Sequence, residues 1–409
     1  SLVRRSTGGA LWELVASNPG LHFPKAGESS ANRFLLHAGD RLLCMKADSE
    51  GGVAWQRFQR SAKEVYFVGN AVVLLFQKGH HDLHLKSFDL HSGYLNWDLV
   101  LLRGARSYGR WENRFFIKDN ADRFTLVDLD EGTILAKTRM PRVPSRAYVG
   151  FGGDGDQVHL VRSTVYRSGH WLSWNTGTGE VSGRQVLKGL HGDPERPFRD
   201  VSINKVAFGR EACFILAYWH AGEPRRSAYR ADYATRTVTR IRENAADLFH
   251  AGRHVAFREE IQRDKERLNE WTFHSDADPA YRHVLRLPRS SRLLYRPGRD
   301  RLVEYDHHRP KTLRVHDLDA KRVLLTHVAP EDAEWLDSVF IDAHTVLLTE
   351  FRRNEYFRCI PYDLRSGKPG RPREIDYHGL SHSSPSSVQV VGNVLLIVNR
   401  DGVQAWPLS

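Results

Sequence analysis

The feature that most constrains this chain is a hairpin-like unit that it repeats. In residues 83–99, LHLKSFDLHSGYLNWDL, apolar side chains alternate at Leu83 and Leu85, the run breaks between Asp89 and Gly93, and a second run carries Trp97. Period-two alternation puts every second side chain on one face of a strand, and an Asp/Ser/Gly cluster supplies the turn that folds the strand back. Residues 33–58 hold the same parts as Asp48, Gly51 and Trp55. Looser copies carry Asp128 with Gly132, Asn175 with Gly177 and Gly179, Asp232 and Asp317 with no glycine, and Asp363 with Gly367. Between them lie apolar pairs joined by Gly-Asn, as in VYFVGNAVVLLFQKG from Val65 and VQVVGNVLLIVN from Val388. Both turn residues tolerate positive φ, which a tight hairpin requires.

The period is roughly 40 residues, which is the spacing of propeller blades. Each unit has room for about four short strands, and hardly any helix-period pattern intervenes. One blade covers its own faces poorly, whereas blades stacked side by side cover each other. No low-complexity linker divides the chain. The expected fold is therefore all-β: a single β-propeller of four-stranded blades over residues 33–409, with residues 1–32 as a segment that contributes a closing strand. Units begin near residues 33, 64, 106, 147, 203, 246, 292, 337 and 387. The first and last look incomplete, the first needing an inner strand from Leu21–Phe23 and the last a fourth strand from ALWELVA at Ala10–Ala16. That reading predicts eight blades, with seven as the alternative.

At 41% hydrophobic and 27% charged residues, the composition is that of a globular protein and excludes wholesale disorder. No apolar run approaches the roughly 20 residues of a membrane-spanning helix. The opening SLVRRSTGG has no apolar segment behind its basic residues, so no signal peptide is expected. Cys44, Cys213 and Cys359 each sit inside an apolar strand pattern, far from one another. Isolated thiols of that kind argue against a disulfide framework. Together these features predict a cytoplasmic or nuclear protein.

The spacing of Ala47, Asp48, Gly51 and Trp55, and of Asp89, Gly93 and Trp97, resembles the repeat of quinoprotein-like propellers. The looser copy RVHDLDAKRVLLTHV resembles WD-repeat blades equally well. The resemblance implies the superfamily shape. Propellers of this kind that stand within the cell are often recognition modules, such as those of F-box-type ubiquitin ligase adaptors.

The chemistry-bearing residues are weighed against that frame. Asp48, Asp89, Asp128, Asp317 and Asp363 precede turns, where a carboxylate bonds to nearby backbone N–H groups. Trp55, Trp97 and Trp406 are expected to pack between blades. His80, His81 and His84 with Asp82, His307 and His308 with Asp306, and His378 with His382 are metal-type residues without metal-type spacing. The run Gly150, Gly152, Gly153 and Gly155 leads into a strand, whereas phosphate cradles lead into a helix. A quinone cofactor would be the enzyme reading of the resemblance, but no adjacent cysteines occur, and neither a cofactor nor a metal is expected.

The formal net charge of +11 points to acidic partners through long-range attraction. Three basic–aromatic groups are the candidate contacts: Arg103, Arg106 and Arg110 with Tyr108 and Trp111; Arg225, Arg226 and Arg230 with Tyr229; and Arg352, Arg353 and Arg358 with Tyr356. Arginine and tyrosine suit protein interfaces, and arginine also suits phosphate and base contacts. The sequence therefore predicts a non-enzymatic interaction scaffold for an acidic protein or peptide. Nucleic-acid binding is the first alternative, and an enzyme with its site at the channel mouth is the second.

Overall fold

The computed structural model describes residues 3–4, 12–15, 20–22, 32–38, 40–48, 51–59, 62–78, 82–103, 107–119, 123–139, 147–153, 155–163, 169–182, 185–188, 197, 201–219, 225–263, 266–296, 301–308, 311–352, 357–375, 387–399 and 402–408. Among them the chain forms nine antiparallel sheets and no helix. Blade 1 comprises Gly20–His22, Arg33–Ala38, Arg41–Lys46 and Val53–Phe58, and blade 2 comprises Glu64–Val68, Ala71–Lys78, Asp82–Asp89 and Leu95–Arg103. Blades 3 to 8 span residues 107–139, 147–186, 201–243, 247–288, 292–328 and 335–375. Blade 9 is built from Ser387–Val391, Val394–Asn399 and Gly402–Pro407. In each blade, strands adjacent in sequence are adjacent in the sheet, except that in blade 8 Lys368–Pro369 and Arg373–Ile375 both pair with Phe357–Asp363.

The count is nine, which corrects the expectation of eight or seven. Both end units are complete. Gly20–His22 pairs with Arg33–Ala38 through Gly20↔His37 and His22↔Leu35, giving blade 1 its first strand. Trp12–Val15 pairs antiparallel with Gly402–Pro407, from Trp12↔Ala405 to Val15↔Gly402, giving blade 9 its fourth. The expectation of eight treated the two end units as incomplete and shared, whereas Gly20–His22 and Trp12–Val15 each complete a separate sheet.

The burial pattern explains the sequence pattern. Val72, Val73, Leu74 and Leu75 are all fully buried although consecutive, because both faces of a middle strand are covered. The fourth strand Ile134–Arg139, by contrast, is exposed or half-exposed at every position. The chain divides into two compact units. One contains Ser1–Gln77, His84–Leu99 and Ser290–Ser409 and holds blades 7, 8, 9, 1 and most of blade 2. Its cores lie between successive blades, as where Leu35, Cys44 and Trp55 meet Phe67, Leu74 and Phe88. The other contains Lys78–Leu83 and Val100–Arg289 and holds blades 3 to 6. There Val161 and Trp171 meet Ile203, Ile215 and Tyr229 across blades 4 and 5. All three cysteines are buried in such cores. Burial pushes the Cys44 thiol up to about 11 and the Cys359 thiol to about 12, and raises Cys213 further, which makes all three poor nucleophiles.

Candidate functional site

The repeated acidic residues are turn chemistry. Asp89 Oδ1 accepts from the backbone N–H groups of His91 (3.1 Å) and Ser92 (2.7 Å) and from the Ser92 hydroxyl (2.6 Å). Asp128, Asn175, Asp232 and Asp363 accept equivalent backbone bonds two residues on. The residue four positions after each closes the turn by donating to its carbonyl, as Gly93 does to Asp89 at 2.9 Å. Ser92 above all holds the Asp89 carboxyl below the usual range.

Trp55, which follows the turn of blade 1, links that blade to the next. Trp55 of blade 1 is 8% exposed and donates from Nε1 to the Leu90 carbonyl of blade 2 at 2.9 Å. Its ring lies against Gly93, where a Cβ would come within 2.6 Å of Trp55 Cδ2. Trp111 lies in the same way against Gly155. The glycine run serves close packing. A Cβ at Gly152 would fall 2.5 Å from the rings of both His159 and Tyr233, and the run continues into the strand Gln157–Ser163.

The basic–aromatic groups have mixed fates. Arg103 ends a strand of blade 2, and Arg106, Arg353 and Tyr356 lie outside the described residues. Tyr108 stacks on Phe115 with ring centroids 5.7 Å apart. Arg110 Nε donates to the Glu112 carbonyl, and Trp111 packs on the core of blades 3 and 4. Arg225 begins a strand and Arg226, exposed, donates to the Ala246 carbonyl at 3.2 Å. Tyr229 is 1% exposed and belongs to the core between blades 4 and 5. Arg230 pairs with Asp232 at 3.0 Å, and Arg352 pairs with Asp332 at 3.0 Å. Arg358 faces the buried Glu350 at 3.8 Å.

Among the histidines, His84 and Lys86 share Asp98 across the face of blade 2. Asp306 Oδ1 accepts from the Ser290 hydroxyl at 2.9 Å and from His308 N–H at 3.1 Å. His80, His81, His378 and His382 lie outside the described residues. Among the described residues no three His, Cys, Asp or Glu side chains form a metal-type group.

Two kinds of feature escape the sequence reading. One is a set of buried polar links between and within blades. Asp276, 3% exposed, accepts from the backbone N–H groups of Arg210, Glu211 and Ala212, so a carboxylate of blade 6 holds a turn of blade 5. His327 of blade 7 donates from Nε2 to Glu350 of blade 8 at 2.5 Å and meets the Tyr362 hydroxyl at 2.9 Å. Glu304 is bonded by His316 at 2.9 Å and Arg314 at 2.5 Å. These partners are far apart in sequence or on different strands, so no spacing rule could have paired them.

The other is the exposed apolar surface on the outer strands of the blades. Phe58 is 77% exposed, and Tyr94, at the end of the turn that leads into the outer strand Leu95–Arg103, is 72% exposed, with Val53 and Leu95 also open. Arg41 lies over the Phe58 ring, 5.3 Å from its centroid. Arg57, next to Phe58, donates from Nε to the carbonyl of Gly93, next to Tyr94, at 3.0 Å. The two aromatics of blades 1 and 2 are thus joined through one arginine bond, and both arginines are exposed. An outer strand carries half its side chains away from the core, and its free edge offers backbone donors and acceptors.

Nine meandering sheets of this kind make the chain a β-propeller by class. No family model matches the chain, and no curated protein matches it. Solved structures match it at low identity. BamB from Moraxella catarrhalis is 11% identical over 95% of each chain, with a TM-score of 0.39. Sqt1 of Saccharomyces cerevisiae is 9% identical over 99% of this chain and 100% of its own, with a TM-score of 0.43. The WD40 domain of SCAP from fission yeast is 10% identical over 97% of this chain and 98% of its own, with a TM-score of 0.41. The assignment to the class rests on the sheets themselves.

Proposed function

We propose that the chain is an interaction scaffold that receives an acidic protein segment on the outer strands of blades 1 and 2. The observation that carries this reading is the pairing of exposed aromatics with arginines: Arg41 on Phe58, and Arg57 bridging to the turn before Tyr94. Aromatic rings give a partner contact area at little entropic cost, while arginine gives bidentate bonds to carboxylates. A net charge of +11 adds long-range attraction for acidic chains. The repeated polar residues are engaged in turns and blade links, so recognition falls to positions where the copies differ. Among the described residues no helix is long and apolar enough to cross a membrane.

The test is quantitative capture from cell extract by the wild-type chain and by the Arg41→Glu/Phe58→Ser variant. A set of acidic proteins retained by the wild type, eluted by moderate salt and lost from the variant is the expected result. Equal retention by both proteins would remove the reading.

A further inference from the structure

The second unit carries a cleft of about 320 Å³ between blades 5 and 6, lined on one side by the end of the strand Val238–Glu243 and the turn at Asn244. Its other wall is Glu259, Thr272, His274 and Arg282 of blade 6. The floor is the Arg242 guanidinium, which donates from Nε to Glu259 at 3.0 Å, from Nη2 to Glu270 at 2.7 Å, and from Nη1 to the Thr272 hydroxyl. Glu270 also accepts from Arg286 Nε at 2.9 Å. Glu243 is paired with Arg240 at 2.5 Å.

Charge bookkeeping across the cleft leaves one group unmatched. Arg242 and Arg286 balance Glu259 and Glu270, and Arg240 balances Glu243. Arg282 has no hydrogen-bond or ion-pair partner among the described residues, and it is exposed at the cleft rim. The Asn244 amide is likewise unpartnered and is held in the left-handed region at φ 55. His274 is neutral near pH 7, since burial, then Arg282 and Arg242, lower it to about 4. Ile241 supplies an apolar wall.

We propose that this cleft binds a single peptide carboxylate, with Arg282 as its counter-ion and the Asn244 amide as a second donor. A monoanion neutralises the one unmatched cation. A dianion such as phosphate would bring a second charge close to Glu259 and Glu243, which repel it. The planar guanidinium matches a carboxylate with two parallel bonds. The site shares no residue with the outer-strand surface of blades 1 and 2, and it stands or falls independently of the function proposed for that surface.

The test follows arginine side-chain N–H resonances of the full chain, labelled on arginine, at pH 7 and fixed ionic strength. The ligands are a capped Gly-Glu-Gly amide, an acetylated triglycine with a free carboxylate, and inorganic phosphate. The expected result, with either peptide, is saturable movement of the one resonance that Arg282→Gln removes, and binding at least about tenfold weaker in that variant as read from the Arg242 resonances. The peptide that binds more tightly assigns the source as a side chain or a chain end. Arg282 is exposed, and the unchanged remainder of the spectrum shows that the variant folds. No saturable movement, undiminished affinity in Arg282→Gln, or tighter binding of phosphate than of both peptides would overturn the proposal. Loss of acidic partners in Arg41→Glu with peptide binding intact would leave this site standing and affect only the other reading.

Discussion

Two glycine positions allow the contribution of blade-to-blade packing to be measured directly. Gly93 and Gly179 close equivalent turns, with φ of 71° and 75°. At Gly179 an added Cβ would meet nothing within 4 Å, whereas at Gly93 it would meet Trp55 Cδ2 at 2.6 Å. Gly179→Ala therefore exposes only the backbone cost. The left-handed region costs a residue with a Cβ about 1–2 kcal/mol, and the stiffer unfolded chain returns about 0.4–1 kcal/mol, for a net loss of about 1 kcal/mol. Gly93→Ala adds displacement of a buried ring, at about 1–3 kcal/mol for overpacking. It also strands the Trp55 Nε1 donor now held at 2.9 Å by Leu90, at about 1–3 kcal/mol. The expected total is about 3–7 kcal/mol. Urea denaturation followed by tryptophan fluorescence gives both values. If Gly93→Ala lies within about 1 kcal/mol of Gly179→Ala, contact between Trp55 and the turn of blade 2 does not stabilise the blade pair, and the packing account of the repeat tryptophan is refuted.

The remaining predictions concern turns, links and pH. Arg236 occupies the repeat's glycine position at φ 58, so Arg236→Gly should raise stability by about 0.5–1 kcal/mol, a higher urea midpoint being the check. Asp276→Ala removes the acceptor for three backbone N–H groups and should cost about 3 kcal/mol; a loss below about 1 kcal/mol would count against the link it makes between blades 5 and 6. Burial, with Arg236 adding, lowers His159 from 6.5 to about 3. The unfolded chain then binds the extra proton first, so stability is full above pH 6.5 and falls as pH drops toward 3, by about 2 kcal/mol at pH 5. His159→Gln should flatten that part of the pH–stability curve, and an unchanged slope would show that His159 is not the group responsible.

Much of the fold was legible in the sequence because its signals are local. Asp89, Ser92 and Gly93 form their turn within five residues, and Val72 to Leu75 announce a covered strand by an unbroken apolar run. The blade count was misread although both short strands were located, because a run of three or four residues does not show whether it completes a sheet of its own; pairing with Leu35 and, at the other end of the chain, with Ala405 decides that. The candidate site was less legible still. Tyr229 reads the same as Tyr94 in a one-dimensional pattern, yet one is 1% exposed and the other 72%. Arg41 and Phe58 become neighbours only through strand register, Arg41↔Phe58. An arginine's free charge depends on what faces it: Arg282 is unmatched among the described residues because Arg242 engages Glu259 and Glu270, a fact of packing rather than of spacing.

Site-specific photo-crosslinking tests the central claim, that function lies on the outer strands of blades 1 and 2, most directly. A photoreactive phenylalanine analogue placed at residue 58 or 94, and for comparison at residue 135 on the outer strand of blade 3, would be activated in cells and the adducts sequenced. The account predicts adducts to acidic segments of a shared partner at residues 58 and 94, with few at 135. Equal labelling at all three positions, or none at 58 and 94, would contradict it.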